Sequence, residues 1–239
     1  MSHSSAKARI LGLIPAKGAS VRFARKNILP LGDRPLLAWT VEAARESGLI
    51  DRLIVSTEDE EIAAVARDLG AEVPFMRPAH LARDPAGVVE VALHALDMLE
   101  ARGESYRTII IMLPTCPFRS AGDIRSAYEL FREKNATCLM SVSPFSHTPF
   151  AAMRLDKDGY LSPYFPECAG RKSQKMPAAY RPNGALHILS VETLRRERSY
   201  FVQPLVGYLM PLERSFDIDT AMDLQSAELF LAMKTRDDS

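Results

Sequence analysis

The chain has 239 residues, 47% of them hydrophobic and 25% charged, enough to bury a sizeable core in one α/β domain or one domain with an appendage. Thirty Lys and Arg balance thirty Asp and Glu, and a formal net charge of zero argues against whole-protein attraction to nucleic acid or an anionic membrane. No apolar run approaches membrane-spanning length, and Met1 to Ala6 lacks the apolar core of a signal peptide. Cys116, Cys138 and Cys168 are an odd number without metal-ligand spacing, so a cytoplasmic protein without a disulfide framework is expected.

The apolar run Ile10 to Ile14 reads as a buried strand stopped by Pro15. A small-residue turn, Gly18-Ala19-Ser20, follows, and four cations share the same loop: Lys17, Arg22, Arg25 and Lys26. No acidic residue precedes Asp33. Small residues let backbone N–H groups approach an anion while the cations neutralise it, so the loop suits a polyphosphate; a solvated basic turn is the alternative.

Pro35 to Ser47 reads as a helix closed by Gly48, and Leu53 to Ser56 as a second buried strand. Thr57, with Glu60 three residues on, predicts a capping box opening a helix to Leu69. A third short strand is expected at Glu72 to Phe75, an irregular loop from Arg77 to Pro85 and a helix from Val88 to Arg102. The almost pure isoleucine run Thr108 to Met112 is too apolar for a half-exposed strand. A Pro114-Thr115-Cys116-Pro117 loop, a helix from Ala121 to Glu133 and a strand from Thr137 to Val142 follow.

Strand–helix alternation predicts a mostly parallel sheet covered on both faces, with ligands at the carboxyl ends of its strands. The alternation breaks between Pro144 and Pro182, where only a hairpin about Asp156-Lys157-Asp158-Gly159 is expected. Met153, Leu155, Tyr160, Tyr164 and Phe165 are too many large apolar groups for a solvated excursion, so this arm is expected to form an inter-subunit contact. The pattern resumes at Ala185 to Leu189 and Leu205 to Met210, then ends in Phe216-Asp217-Ile218-Asp219-Thr220 and a helix through Leu231.

In an extended strand the spacing of Asp217 and Asp219 sets both carboxylates on one side, which suits Mg²⁺ when substrate phosphates supply further ligands. Helix capping by Asp219 or Thr220, with Asp223 in the first turn, is the alternative, and it leaves Asp217 unexplained. A basic phosphate loop near the first strand and a carboxylate pair near the last suggest Mg²⁺-assisted nucleotidyl transfer.

These residues resemble the acylneuraminate cytidylyltransferases, including their pseudaminic and legionaminic acid relatives, over nearly the whole chain. The resemblance rests on Ile14-Pro15-Ala16-Lys17 through Lys26-Asn27, Val55-Ser56-Thr57-Glu58-Asp59-Glu60-Glu61-Ile62, Arg77-Pro78-Ala79-His80-Leu81-Ala82, Pro114-Thr115-Cys116-Pro117-Phe118-Arg119, Tyr180-Arg181-Pro182-Asn183-Gly184-Ala185 and Asp217-Ile218-Asp219-Thr220, in this order. It implies a three-layer, Rossmann-like sheet of the nucleotide-diphospho-sugar transferase type, a single domain over 7–239 with 144–182 as an inserted dimerisation arm. It also implies CTP and a nine-carbon 2-keto sugar acid as substrates, Mg²⁺ as cofactor, and a homodimer in which each arm completes the partner's sugar site.

Carried over by position, the resemblance makes Lys17, Lys26, Asp217 and Asp219 catalytic. Lys17, Ser20, Arg22 and Lys26 would serve the CTP phosphates, and Asn27, Arg77 and Ala86 the cytosine and ribose. Asp217 and Asp219 would hold the metal, while Leu113, Asn183 and His187 would face the sugar. The chain departs from the family pattern at Lys17, Val21, Ala24, Leu113 and His187. The last two replace a glutamine and a tyrosine, so a deoxy, di-acylamino acid is expected to suit the site better than N-acetylneuraminate. A cytidylyltransferase for the eight-carbon acid Kdo and a non-catalytic nucleotide-binding homologue are the alternatives. A dinucleotide oxidoreductase is disfavoured by the lack of a Gly-x-Gly-x-x-Gly turn.

Overall fold

The computed structural model describes residues 9–18, 23 and 25–237. Strand β1 (Ile10–Pro15) leads through the basic loop to a short ladder of β2 (Pro30–Leu31) with β3 (Arg34–Pro35). Then come α1 (Leu36–Glu46), β4 (Arg52–Ser56), α2 (Glu60–Asp68), α3 (Val88–Glu100), β5 (Thr108–Ile111), α4 (Ala121–Glu133) and β6 (Cys138–Pro144). The arm contains one hairpin, β7 (Met153–Leu155) with β8 (Leu161–Pro163). The chain closes with β9 (Tyr180–Ser190), α5 (Val191–Glu197), β10 (Leu205–Leu209) and α6 (Ala221–Asp237).

Six strands form one sheet in the order β10-β6-β9-β5-β1-β4. All run parallel except β9, which lies antiparallel between β5 and β6. Because side chains alternate across a strand, Ile10 and Ile14 of β1 face one core and Leu11 and Leu13 the other. The first core is roofed by α1, α2 and α4, through residues such as Leu37, Ile62 and Ile124. The second is roofed by α3 and α5, through Leu93, Leu96 and Leu194. Ile109, Ile110 and Ile111 of β5 are fully buried, in keeping with a strand covered on both faces.

Several expectations are corrected. The N-cap of α2 is Asp59, whose carboxylate accepts from the Glu61 and Ile62 amides; Thr57 instead accepts the Asp59 amide. Glu72 to Phe75 makes a single bridge, Ile54 with Glu72, in place of a strand. Residues 216–219 run outside any ladder, tied by the Ile218 amide to the Thr115 carbonyl at 2.9 Å. The short α5, capped by Ser190, was not expected at all. The hairpin turn is as expected: the Asp156 carboxylate accepts from the Asp158 and Tyr160 amides, and Gly159 takes a positive φ.

The segment leading to the Asp217 pair is anchored to α4. Asp123, at N3 of that helix, accepts from Ser120 and Tyr208 and receives both Nε and Nη2 of Arg214 at 2.9 Å. The Asp123 side chain is 1% exposed, and these hydrogen bonds hold its carboxyl below the usual range against the opposing effect of burial. Asp123→Ala would leave Arg214, Tyr208 and Ser120 short of an acceptor; with Arg214 part-exposed, a loss of about 2 kcal/mol in urea unfolding is expected. Retention of wild-type stability would show that the clamp carries no net energy.

Candidate active site

The carboxyl ends of β1, β4 and β5 lie at one rim of the sheet, and the antiparallel β9 brings its amino-terminal half to the same rim. A cavity of about 320 Å³ opens there. Its lining unites Lys17, Lys26, Asn27, Arg77, Ala86, Leu113, Asp217 and Asp219, drawn from six separate stretches of sequence. Ser20 and Arg22 lie outside the described residues.

The lining also includes residues that sequence reasoning did not single out. Leu81, Ala82, Gly87, Val88 and Val91 form an apolar wall, with Val88 and Val91 one helical turn apart on α3. Thr115 joins from the Pro-Thr-Cys-Pro loop. An apolar wall with a few converging charges suits a ligand with a flat ring and an anionic tail.

The basic loop is fixed to the start of α2. The Gly18 amide donates to Glu58 Oε1 at 2.8 Å, and the other oxygen of that carboxylate accepts from Arg77 Nη2. Gly18 is required by close approach: a Cβ there would stand 2.8 Å from the Cβ of Asp59. Asn27 donates to the Lys17 carbonyl at 2.9 Å, which closes the loop across its own neck. Arg25, at a positive φ, pairs with Glu61.

The acid pair stands opposite. Thr220 and Asp223 form the reciprocal cap of α6: the Asp223 amide donates to Thr220 Oγ1 at 3.2 Å, and the Thr220 amide to Asp223 Oδ2 at 2.8 Å. That cap is built from the Thr220 and Asp223 side chains. Lys26, 9% exposed, donates from Nζ to Asp219 Oδ1 at 2.6 Å and to the Ile218 carbonyl at 3.1 Å. Asp217 keeps contact with solvent, yet partial desolvation pushes its carboxyl up, and Asp219 adds to the rise; Thr115 and Lys26 oppose it. Two neighbouring carboxylates, one of them held by an ammonium, are a donor set that suits a hard dication sharing phosphate ligands.

Two of the expected sugar-facing residues do not line the cavity. Asn183, 4% exposed, spends its carboxamide inside the protein. Its Oδ1 accepts from Ser141 Oγ at 2.6 Å and the Ala185 amide at 3.1 Å; its Nδ2 donates to Ser215 Oγ at 2.9 Å. Its carbonyl accepts from the buried Cys116 thiol at 2.9 Å, and burial pushes that thiol up to about 12, so it is inert as a nucleophile. His187, 6% exposed, packs its ring 4.8 Å from that of Tyr200, and burial pushes it down to about 4. Leu113 does line the cavity, and Gly184 at φ 71° lies beneath it, where a Cβ would meet Leu113 Cδ1 at 3.0 Å.

Comparisons with known proteins agree in direction. A family described as "Cytidylyltransferase" matches residues 11–158. The chain is 33% identical over 232 residues to an N-acylneuraminate cytidylyltransferase of Escherichia coli, covering 96% of this chain but 54% of that relative, so it spans about half the relative's length. It is 29% identical to a pseudaminic acid cytidylyltransferase of Campylobacter jejuni, with 92% of this chain and 94% of that one covered. A CMP-N,N'-diacetyllegionaminic acid synthase of Legionella pneumophila is 30% identical, with 94% and 97% covered. Among solved structures, a CMP:2-keto-3-deoxy-manno-octonic acid synthetase complexed with CTP superposes with a TM-score of 0.72 at 13% identity, covering 95% of this chain and all of that one. That likeness establishes the fold, the nucleotide-diphospho-sugar transferase type.

Two outcomes follow from the buried polar groups. Asn183→Ala would strip partners from Ser141, Ser215 and the Ala185 amide, and should cost about 2–3 kcal/mol in denaturant unfolding; a residue serving only as a substrate contact would cost little. For His187, the unfolded chain binds a proton below about pH 6.5 while the folded site refuses one until about pH 4. Its contribution is thus complete above the unfolded pKa and is lost as pH falls, by about 2 kcal/mol between pH 7 and pH 5. His187→Phe should unfold with a flatter pH dependence over that interval, and an unchanged slope would remove His187 from the acid response.

Proposed function

We propose that this chain, which belongs to the cytidylyltransferase family, joins CMP from CTP to a nine-carbon, sialic-acid-like 2-keto sugar acid and releases pyrophosphate. The observation that carries the reading is the cavity itself, whose lining brings Lys17, Lys26 and Arg77 together with Asp217 and Asp219 beside an apolar wall. CTP and a sugar acid are both anionic, so bringing them together is chiefly an electrostatic problem.

In this reading the α3 wall and Ala86 receive the cytosine ring, while Asn27 and Arg77 border the ribose. Lys17 and Lys26 neutralise the phosphates. The anomeric hydroxyl of the acid attacks the α-phosphorus in line and gives up its proton to solvent; the new O–P bond forms as the bond to the β-phosphate oxygen breaks, and pyrophosphate leaves. Asp217 and Asp219 would hold Mg²⁺, which when bound supplies positive charge to the phosphate oxygens. Lys26 holds Asp219 Oδ1 at 2.6 Å, which fixes that carboxylate in the cavity lining.

The exposed Met153, Leu155, Tyr160, Leu161 and Tyr164 of the hairpin arm favour a homodimer in which the arm is covered. The apolar Leu113 in the cavity wall favours a deoxy, di-acylamino acid as acceptor.

Incubation with CTP, Mg²⁺ and a panel of pseudaminic, legionaminic and N-acetylneuraminic acids should release pyrophosphate with at least one, and kcat/KM should be highest for a deoxy acid. Absence of turnover with every acid would overturn the acceptor class. Asp217→Asn and Asp219→Asn should each lower kcat about 100-fold or more, with unfolding midpoints near wild type, and should weaken Mn²⁺ binding measured by calorimetry. Full activity at low Mg²⁺ would make the pair structural. Sedimentation should give a dimer, and a monomeric wild type would overturn the role given to the arm.

A further inference from the structure

The carboxylate of Glu58 is absent from the cavity lining, yet it touches Arg77, which lines it, and Gly18, the neighbour of the lining Lys17. One oxygen accepts from the Gly18 amide at 2.8 Å, in the loop that would carry the phosphates. The other accepts from Nη2 of Arg77, whose side chain is 3% exposed and lines the cavity. The Glu58 side chain is itself only 15% exposed. A charge-assisted pair in so dry a setting is held firmly, and its geometry is set by the protein in place of water.

The backbone reinforces the arrangement. Glu58 lies two residues past the end of β4, and the Arg77 amide donates to the Thr57 carbonyl at 2.8 Å, so both ends of the pair spring from one place on the sheet. On the loop side, Gly18 is pressed against Asp59 too closely for any side chain. Arg77 Nε is buried with no partner among the described residues, which leaves a donor of that guanidinium uncommitted.

We infer that Glu58 is a positioning residue that couples the phosphate loop to the nucleoside wall, by holding the Gly18 amide with one carboxylate oxygen and the Arg77 guanidinium with the other. This rests on the nucleotide reading proposed above. An acceptor-only group is needed at both ends, because Gly18 N–H and Arg77 Nη2 are both donors. A carboxylate meets that need with two oxygens; a carboxamide has one, and its NH₂ must confront a donor at one end or the other. The coupling has a consequence a local contact would lack. Loss of the carboxylate should weaken ligands on both sides of it, including one that never reaches Arg77.

The test is calorimetric binding of CTP, CMP and inorganic tripolyphosphate to the full chain as wild type, Glu58→Gln and Glu58→Asp, with kinetics alongside. Glu58→Gln should bind CTP about tenfold more weakly and lose affinity for CMP and for tripolyphosphate alike. KM for CTP should rise by more than kcat falls, and Glu58→Asp, which keeps both acceptor oxygens, should recover most of the loss. A loss confined to CMP or to tripolyphosphate, or no loss at all, overturns the coupling, as does an aspartate variant no better than the glutamine one. A wild type that binds neither CTP nor CMP overturns the nucleotide reading itself, before any variant is compared. If Glu58→Gln does not fold, the wild type decides by amide exchange: the Gly18 amide should exchange slowly in the nucleotide-free protein, and free exchange there overturns the proposal.

Discussion

The cavity exists because segments far apart in sequence are pulled to one rim, and the buried Asn183 carboxamide does much of the pulling. It binds Ser141 on β6, the Ala185 amide on its own strand, and Ser215 just before the acid pair. Through its main-chain carbonyl it also holds Cys116, one residue from Thr115 in the cavity wall. Each of these groups is buried, and each would cost free energy if left without a partner. One amide satisfies several of them at once, so the acid-bearing segment needs no ladder of its own to be fixed in place.

Charge in the cavity is arranged on the same principle. Lys26 is set against Asp219, and Arg77 against Glu58. Each cation is therefore oriented before any ligand arrives, and each has a partner of opposite sign from another segment. In the proposed reading, an incoming polyphosphate would meet cations whose directions are already chosen, which lowers the ordering cost of binding. Arg119 serves the wall in a related way. Fully buried, it donates to the carbonyl of Ala185 and to Thr40, and burial lowers it to about 10. It fastens the Pro114 loop to α1 and β9 from behind.

Much of this could be read from the chain beforehand, because the strongest signals are local. Apolar runs such as Thr108 to Met112 and the strand–helix alternation give a covered, mostly parallel sheet, and five of the expected nucleotide residues, Lys17, Lys26, Asn27, Arg77 and Ala86, line one cavity. The misses share a cause. Thr57 and Asp59 both have capping chemistry, and only backbone direction at the end of β4 decides between them. The α5 helix is seven residues long, too short for periodicity to declare itself. Asn183 and Glu58 find their partners across tens of residues, so nothing in their immediate sequence reveals that one is a structural knot and the other a bridge. The spacing of Asp217 and Asp219 placed both at the cavity, though the strand assumed for them is an unpaired segment.

The irregularity where β6 meets β9 bears on how such a chain can diverge. Met140 stands opposite His187 and Val142 opposite Pro182, so the four residues 183–186 answer to Ser141 alone. Register on the arm side of that offset is independent of register in the core. Residues may be added to or removed from the stretch between Pro144 and Tyr180 without sliding a single isoleucine of β5 out of its layer. The fold thus separates a fixed frame from an exchangeable attachment, and the second can be remodelled while the first is left untouched.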